Sequence, residues 1–437
     1  MDSGTVRRLE SNQAGPQRIV IIGAGFGGLA AAKILGRFAR SNHVHITVID
    51  RRNHHLFQPL LYQVAMAGLS PADIAAPIRS LLSKFPKTEV LLGEAIRIES
   101  EKKQVICDFG PVWYDYLLLA CGANHSYFGH EEWEDYAPGL KTLEQATEIR
   151  RRVLSAFELA ERESDEIRRR QLLTFVIVGG GPTGVEIAGA LGELSRHTLS
   201  QDFRHIDPGS TRIVLIEAGT RILPSFHPSL ARRATRDLEK LGVTVWTSTM
   251  VTKIDADGVS LGQEVVRSGT VIWAAGVKPS PLNSTLNTPL DSIGRLVVEP
   301  DLLLPGHRYI FAIGDQIRFE SSDGRPLPGQ APAAMQEGRH AALNIIRLIE
   351  GRPTVPFHFI DKGQMATIGR RRAITEVGPL RLAGPLAWWV WLIIHVYYLV
   401  GFKNKLSVII QWAFAYLTWR RGARLVTNSN WKTVRGE

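Results

Sequence analysis

Short apolar runs that end in glycine recur along this chain, and their spacing predicts much of its architecture. Arg18 to Ile22 reads as a buried strand, followed at once by Gly23-Ala24-Gly25-Phe26-Gly27-Gly28 and an apolar helical run from Leu29 to Leu35. The next strand, His45 to Ile49, ends at Asp50, 22 residues after the last glycine. Thr174 to Val178 starts the pattern again, with Gly179-Gly180-Gly181-Pro182-Thr183-Gly184, a helix from about Val185, and a strand from Arg212 to Ile216 that ends at Glu217. Here 33 residues separate Gly184 from Glu217, and Ser195 to Thr211, with its Asp207-Pro208-Gly209 turn, reads as an insertion. Strand, glycine loop, helix, strand and acid in this order form the pattern of a doubly wound α/β dinucleotide site.

Each glycine has a separate task in such a loop. Gly23 and Gly179 permit the tight turn, Gly25 and Gly181 let a pyrophosphate approach the backbone, and Gly28 and Gly184 allow close packing of the helix. The phosphates then meet the unpaired N–H groups at the helix N-terminus. Asp50 and Glu217 are placed to bind ribose hydroxyls, and an acid at Glu217 disfavours a 2′-phosphate, which Arg221 nearby would instead attract; NADH is expected over NADPH. Two such sites in one chain suggest hydride passed between a tightly held cofactor, FAD on the first, and an exchangeable one on the second. Tyr116 to Gly122 and Val271 to Gly276 resemble the crossover strands that close a nucleotide domain in two-dinucleotide flavoproteins. Tyr309 to Asp315 ends in Gly-Asp, where an acid can bind flavin ribitol hydroxyls.

The fold class expected is α/β, with two interleaved Rossmann-like dinucleotide-binding domains and a C-terminal membrane-associating helical region. The boundaries expected are a polar arm over 1–17, the first part of the FAD domain over 18–145, the NADH domain over 146–285, the second part of the FAD domain over 286–377, and the membrane region over 378–437.

Charge and cysteine content narrow the chemistry further. The formal charge is +10, but eight basic residues against Glu437 alone lie after position 377, among Trp, Tyr, Leu, Ile and Val. Basic residues flanking apolar segments suit a membrane surface better than nucleic acid. Thirteen residues lie between Cys107 and Cys121, which is neither a CxxC pair nor a disulfide framework, so neutral packing is expected and no metal site. Met1 to Gln17 has no apolar core of signal-peptide length, so a position on the cytoplasmic side is expected.

Residues 18–425 resemble the type II NADH:quinone oxidoreductases, single-subunit membrane-associated flavoproteins that reduce quinone without pumping protons. The matching segments are Phe57-Gln58-Pro59-Leu60-Leu61-Tyr62-Gln63-Val64-Ala65, Gly181 to Glu186, Asp361 to Gly369, and His395 with Gly401-Phe402-Lys403-Asn404-Lys405-Leu406. The resemblance implies FAD on the first site, with Pro59, Leu60 and Gln63 near the isoalloxazine, Gly122 and Gly276 at the crossovers, and Asp315 on the ribitol. It implies hydride transfer to flavin N5 from NADH on the second site, with Glu186 close to nicotinamide and flavin and Lys362 beside the flavin or quinone. Where the family commonly reads Ala-Gln-x-Ala-x-Gln, this chain has Ala331-Pro332-Ala333-Ala334-Met335-Gln336. One polar contact to quinone is thus lost at Pro332, and Gln336 remains as the polar candidate. The expected partners are NADH, a membrane quinone, the bilayer surface through residues 382–425 on the cytoplasmic face of the inner membrane, and a second copy in a homodimer. A dithiol oxidoreductase lacks its cysteine pair here, whereas a sulfide:quinone oxidoreductase or a slow NADH-sensing flavoprotein shares the nucleotide domains.

The tail itself carries two apolar segments. Leu382 to Phe402 has 21 residues without a formal charge, interrupted by Gly384 and Pro385, and Leu406 to Trp419 has 14. A hairpin would put Lys403 and Lys405 on the far side, against the positive-inside tendency. Two helices lying in the interface, Trp and Leu inward and basic residues on headgroups, are expected instead.

Overall fold

The computed structural model describes residues 15–320, 327–418 and 422–427. The arm expected over 1–17 thus lies outside the described residues up to position 14. In chain order the elements that matter are β1 Gln17–Ile22, α1 Phe26–Ala39, β2 Val44–Asp50, the short helices α2 Leu61–Ala65 and α3 Pro71–Ile74, β3 Thr88–Leu92, β4 Tyr116–Leu119 and α4 Leu143–Arg162. There follow β5 Thr174–Val178, α5 Pro182–Glu193, β6 Arg212–Ile216, β7 Val243–Trp246, β8 Thr270–Trp273, β9 Ile310–Ala312 and α6 Ala331–Ile349. The chain closes with β10 Gln364–Gly369, β11 Arg372–Val377, β12 Leu380–Ala383, α7 Pro385–Tyr398 and α8 Phe402–Thr418.

The chain divides into two compact units, one of Met1–Asn53, Ile78–Gly122 and Pro279–Phe359, the other of His54–Pro77, Ala123–Lys278 and Ile360–Glu437. Both units are therefore discontinuous, and the divisions differ from those expected at 145, 285 and 377. Residues 54–77 join the second unit because α2 packs on α4 and α5. Residues 360–377 join it because β10 lies on α5, so closely that a Cβ on Gly189 would stand 1.7 Å from the Ile368 carbonyl oxygen.

In the first unit five parallel strands run β9-β4-β1-β2-β3. The central strands are apolar almost throughout, as strands covered on both faces must be, and Ile19, Ile21, Ile46, Leu118 and Phe311 are fully buried. Each such side chain contributes about 1.5–3 kcal/mol by leaving water. Helix α6 crosses α1 at glycine, where a Cβ on Gly338 would come within 2.2 Å of the Gly27 carbonyl oxygen. Pro332 occupies the first turn of α6, the place where a missing N–H costs no helical hydrogen bond.

The second unit holds four parallel strands ordered β7-β6-β5-β8, and every residue of β5 is buried. The Ser195–Thr211 insertion forms a π turn at Leu194–Thr198 and a 3-10 turn at Pro208–Ser210, and β6 still pairs with β5 in parallel register. The antiparallel sheet β10-β11-β12 leads into the tail.

The tail helices are shorter and differently bounded than the apolar run suggests. Leu382 and Ala383 belong to β12, Gly384 turns the chain with φ +79°, and α7 begins only at Pro385. With 14 residues α7 is about 21 Å long at 1.5 Å per residue, and among the described residues no helix is long and apolar enough to cross a membrane. Lys403 and Lys405 fall inside the first turns of α8, where Lys405 Nζ donates to the Tyr397 carbonyl at 2.7 Å and caps the end of α7.

Candidate active site

The two glycine loops are built alike. Gly23 and Gly179 have φ +95° and +109°, a left-handed backbone open to glycine. A Cβ on Gly28 would stand 1.8 Å from the Gly23 carbonyl oxygen, and one on Gly184 would stand 1.9 Å from that of Gly179, so the third glycine of each motif packs on the first. Gly25 and Gly181 cap α1 and α5 in extended conformation without a side-chain cap, and no atom lies within 4 Å of where their Cβ would be. That open cradle at a helix N-terminus fits a pyrophosphate. Asp50 accepts from the N–H of Ala24 at 2.7 Å and of Arg52 at 2.8 Å; Glu217 accepts from Gly180 at 2.7 Å and Gly219 at 2.6 Å. Both acids thereby hold their loops while standing at the ends of β2 and β6, where ribose hydroxyls would meet them. The residues present fit FAD on the first loop and NADH on the second.

Beside the first loop, Gly314 has φ +79° and starts the turn that carries Asp315. The Gly314 N–H donates to Glu337 at 2.5 Å, a carboxyl buried on α6 and pushed up to about 7 by that burial. Sequence reasoning missed Glu337. Its one signal was an acid on the face of a helix otherwise lined by small residues.

In the second unit, α5 runs from the NADH loop to a cavity of about 100 Å³. Tyr62 and Gln63 of α2, Glu186 and Glu193 of α5, Thr367 to Gly369 of β10, Arg370, Trp388 and Trp391 of α7, and Trp412 and Tyr416 of α8 line it. The volume is of the order of the engineered cavity of about 150 Å³ that accepts benzene. Burial pushes the Glu186 carboxyl up to about 8, although the Thr367 N–H bond opposes the shift. Tyr62 is raised well above the ordinary tyrosine value, first by burial and then by the charge of Glu186.

Among the residues expected from sequence, Gln63 and Glu186 meet at this cavity, whereas Lys362 does not line it. Lys362 is exposed and its Nζ donates to Tyr398 Oη at 3.2 Å. Pro59 and Leu60 form the turn before α2, and Gly276, φ +82°, follows β8; all belong to the second unit. Gly122, φ +67°, and Gln336 belong to the first, where Gln336 Nε2 donates to the Pro332 carbonyl at 3.2 Å. Two tryptophans expected at a membrane surface face inward instead: Trp388 and Trp391 are buried and only Trp389 of the three is exposed. His395 is buried too, stacked on Trp391 with ring centroids 4.2 Å apart, and burial lowers its pKa to about 4. Tyr62, Trp391 and Trp412 were missed because aromatics at helical spacing look like ordinary core.

The two nucleotide loops, the interrupted first sheet and the added C-terminal sheet define the class. The family model described as pyridine nucleotide-disulphide oxidoreductase matches residues 17–338, and one described as the NDH2 C-terminal domain matches residues 362–421. The first name carries dithiol chemistry, but both cysteines are free, and burial raises the thiols of Cys107 and Cys121 to about 11 and about 12, away from the reactive thiolate. The chain is 42% identical over 427 residues to the type II NADH:quinone oxidoreductase Ndh of Mycobacterium tuberculosis, covering 94% of this chain and 90% of that one. It superposes on the structure of NDH2 from Plasmodium falciparum in complex with NADH with a TM-score of 0.85 at 19% identity, covering 94% and 100% of the two chains. The sulfide:quinone oxidoreductase of Aquifex aeolicus shares the fold, with a TM-score of 0.72 at 20% identity over 89% of this chain and 92% of that one. The chain belongs to the type II NADH:quinone oxidoreductases.

Proposed function

We propose that this flavoenzyme binds NADH at the Gly179–Gly184 loop and reduces a membrane quinone in the cavity between α5, β10 and the tail helices. The observation that carries this reading lies within one unit: α5 starts at the NADH loop and ends on the same cavity that α7 and α8 wall. The chemistry that bound FAD supplies is acceptance of hydride from NADH and return of two electrons to a quinone. Gly23, Gly25, Gly28, Asp50 and Asp315 would hold that cofactor, and the family resemblance assigns Pro59, Leu60 and Gln63 to its ring system, Gly122 and Gly276 to the strand ends, and Lys362 to positive charge beside it. Gln336, the polar group of the α6 motif, lies in the first unit and does not line this cavity.

The balanced exchange, NADH plus one proton plus quinone giving NAD⁺ plus quinol, draws one proton from solution. Glu186, held protonated at neutral pH by burial, keeps that proton at the cavity wall and is reloaded from water. Glu217 selects NADH over NADPH.

The tail helices carry a second apolar face. Leu386, Trp389, Ile393 and Tyr397 form an exposed stripe on α7, and Leu406, Ile410 and Leu417 an exposed set on α8, with Leu417 85% exposed. A helix apolar on both faces needs a second apolar partner, and a bilayer surface supplies one through which quinone reaches the cavity. Peripheral attachment at the cytoplasmic face of the inner membrane, as a homodimer, is the arrangement this exposed apolar face supports.

Anaerobic visible absorbance of the detergent-solubilised protein tests the reading. Flavin bleaching by NADH and its return on adding a short-chain quinone are expected; bleaching without reoxidation would overturn the acceptor. Flotation with anionic vesicles, lost in an Ile410→Glu and Leu417→Glu double variant, tests the surface, while a change only in oligomeric state would assign that face to a second copy.

A further inference from the structure

One hydrogen-bond chain at the cavity has a direction set by chemistry. The Trp412 indole Nε1 lies 2.7 Å from Gln63 Oε1, and Gln63 Nε2 lies 2.8 Å from Tyr62 Oη. An indole N–H can only donate, so the Gln63 oxygen must face it and the Gln63 amide nitrogen must donate to Tyr62. The tyrosine oxygen therefore accepts from Gln63, and its own hydrogen is left for another acceptor. No protein acceptor for it occurs among the described residues, although Tyr62 is only 6% exposed and lines the cavity. A second unspent donor stands in the same wall: Trp391 is 2% exposed and its indole N–H has no partner among the described residues. A buried donor without an acceptor costs about 1–3 kcal/mol. A quinone brings carbonyl oxygens and no donors, which is the complement of this wall.

We propose that Tyr62 donates the hydrogen bond that fixes a carbonyl oxygen of the quinone, and that Trp412, acting through Gln63, is the positioning residue that keeps the Tyr62 hydrogen turned into the cavity. The proposal rests on the assignment of this cavity to quinone. It ties the substrate's orientation to α8, the helix whose opposite face meets the membrane. That helix is anchored independently of Trp412, because Ser407 Oγ and Gln411 Nε2 donate to the buried Asp73 at 2.8 and 2.9 Å and Asn404 Nδ2 donates to the Ala75 carbonyl at 3.1 Å. Removing the indole N–H therefore frees Gln63 without releasing the helix.

The test compares Tyr62→Phe, Trp412→Phe and the double variant as flavin-loaded enzymes, with NADH and a short-chain quinone. Tyr62→Phe is expected to raise the quinone KM about tenfold, the scale of one lost hydrogen bond, with the deficit confined to reoxidation of the flavin. Trp412→Phe is expected to raise it about threefold, and the double variant to match Tyr62→Phe alone, since a positioning residue has nothing left to position once the hydroxyl is gone. An unchanged quinone KM in Tyr62→Phe overturns the donor, and fully additive losses overturn the positioning role. If Tyr62→Phe retains no flavin, Gln63→Leu set against Trp412→Phe replaces it, and equal, non-additive losses are required. Failure of the underlying assignment shows separately, as wild-type flavin that NADH bleaches and quinone does not restore.

Discussion

The two glycine loops are near copies in backbone and differ in what their helices touch. In both, the third glycine packs on the carbonyl of the first and the acid at the next strand's end takes two loop N–H groups. Helix α1 is then covered by α6 through Gly27 and Gly338, an intimate glycine contact that closes it. Helix α5 is covered by β10 through Gly189, and one turn into it Glu186 opens on the cavity. The same local motif thus starts a helix closed by packing in one unit and a helix that opens on the proposed quinone cavity in the other. A dinucleotide motif specifies binding; the packing partner of its helix decides whether chemistry follows.

Breaking one loop at a time gives the largest effect expected. Gly28→Ala would press a Cβ to 1.8 Å from the Gly23 carbonyl, and backbone cannot rotate away as a side chain can. The variant is expected to purify without flavin. Gly184→Ala, at 1.9 Å from the Gly179 carbonyl, is expected to keep its yellow colour yet bind NADH at least about 100-fold more weakly in a bleaching titration. Equal flavin loss in both variants would contradict the assignment of one cofactor to each loop.

Each unit also holds one carboxyl pushed upward by burial, Glu186 to about 8 and Glu337 to about 7, from an ordinary 4.5. A carboxyl whose folded pKa is raised binds its proton more tightly folded than unfolded, so its contribution is complete below pH 4.5 and is lost as pH rises through the folded value. At about 1.36 kcal/mol per pKa unit the loss is of order 5 kcal/mol for Glu186 and 3 kcal/mol for Glu337. Thermal melts between pH 4.5 and 9 should fall with rising pH in the wild type. Glu186→Gln should flatten the curve up to about pH 8 and Glu337→Gln only up to about pH 7. A wild-type curve that rises over this range would show that neither carboxyl is protonated in the fold.

The helix contacts give the next effect. Gly189→Ala and Gly338→Ala place a Cβ 1.7 Å and 2.2 Å from backbone oxygens of Ile368 and Gly27. Overpacking against backbone costs about 1–3 kcal/mol, and Gly189→Ala should lie at the upper end. Denaturant midpoints read the difference, and the reverse order would mean that β10 yields more easily than α1.

What could be read in advance follows from which interactions are local. Strand, glycine loop and acid lie within about one βαβ unit, so Gly23 to Asp50 and Gly179 to Glu217 were legible from spacing, as were the strand bounds Thr174–Val178 and Arg212–Ile216. The cavity was not, because its walls come from α2, α5, β10, α7 and α8, spread over some 350 positions. Trp388 and Trp391 carried an interfacial signature by type alone, and only tertiary packing turned them inward while leaving Trp389 outside. The chain divides after Phe359 and not at the expected 377 for a related reason: β10 follows the Gly-Asp strand in sequence, yet its glycine-tight contact is with α5.

The smallest effect, and the finest probe of how the loops differ, is at the acids themselves. Asp50 and Glu217 each accept two backbone N–H bonds, so neutralising either weakens its loop similarly, but in the proposed assignment only the second faces an exchangeable nucleotide. A 2′-phosphate brought to about 4–5 Å from the Glu217 carboxylate is repelled by about 1–4 kcal/mol, depending on how much water intervenes. Arg221, four residues further on, donates its Nη2 to the Pro224 carbonyl at 2.8 Å. Glu217→Gln keeps an acceptor for the loop and removes the charge, so the ratio of kcat/KM for NADH over NADPH should narrow by about tenfold, near 1.4 kcal/mol. Asp50→Asn should leave that ratio where it was and slow only the retention of flavin. If Glu217→Gln left the ratio unchanged, nucleotide selection would have to come from outside the acid's reach, and the second loop would resemble the first in being a clamp and nothing more.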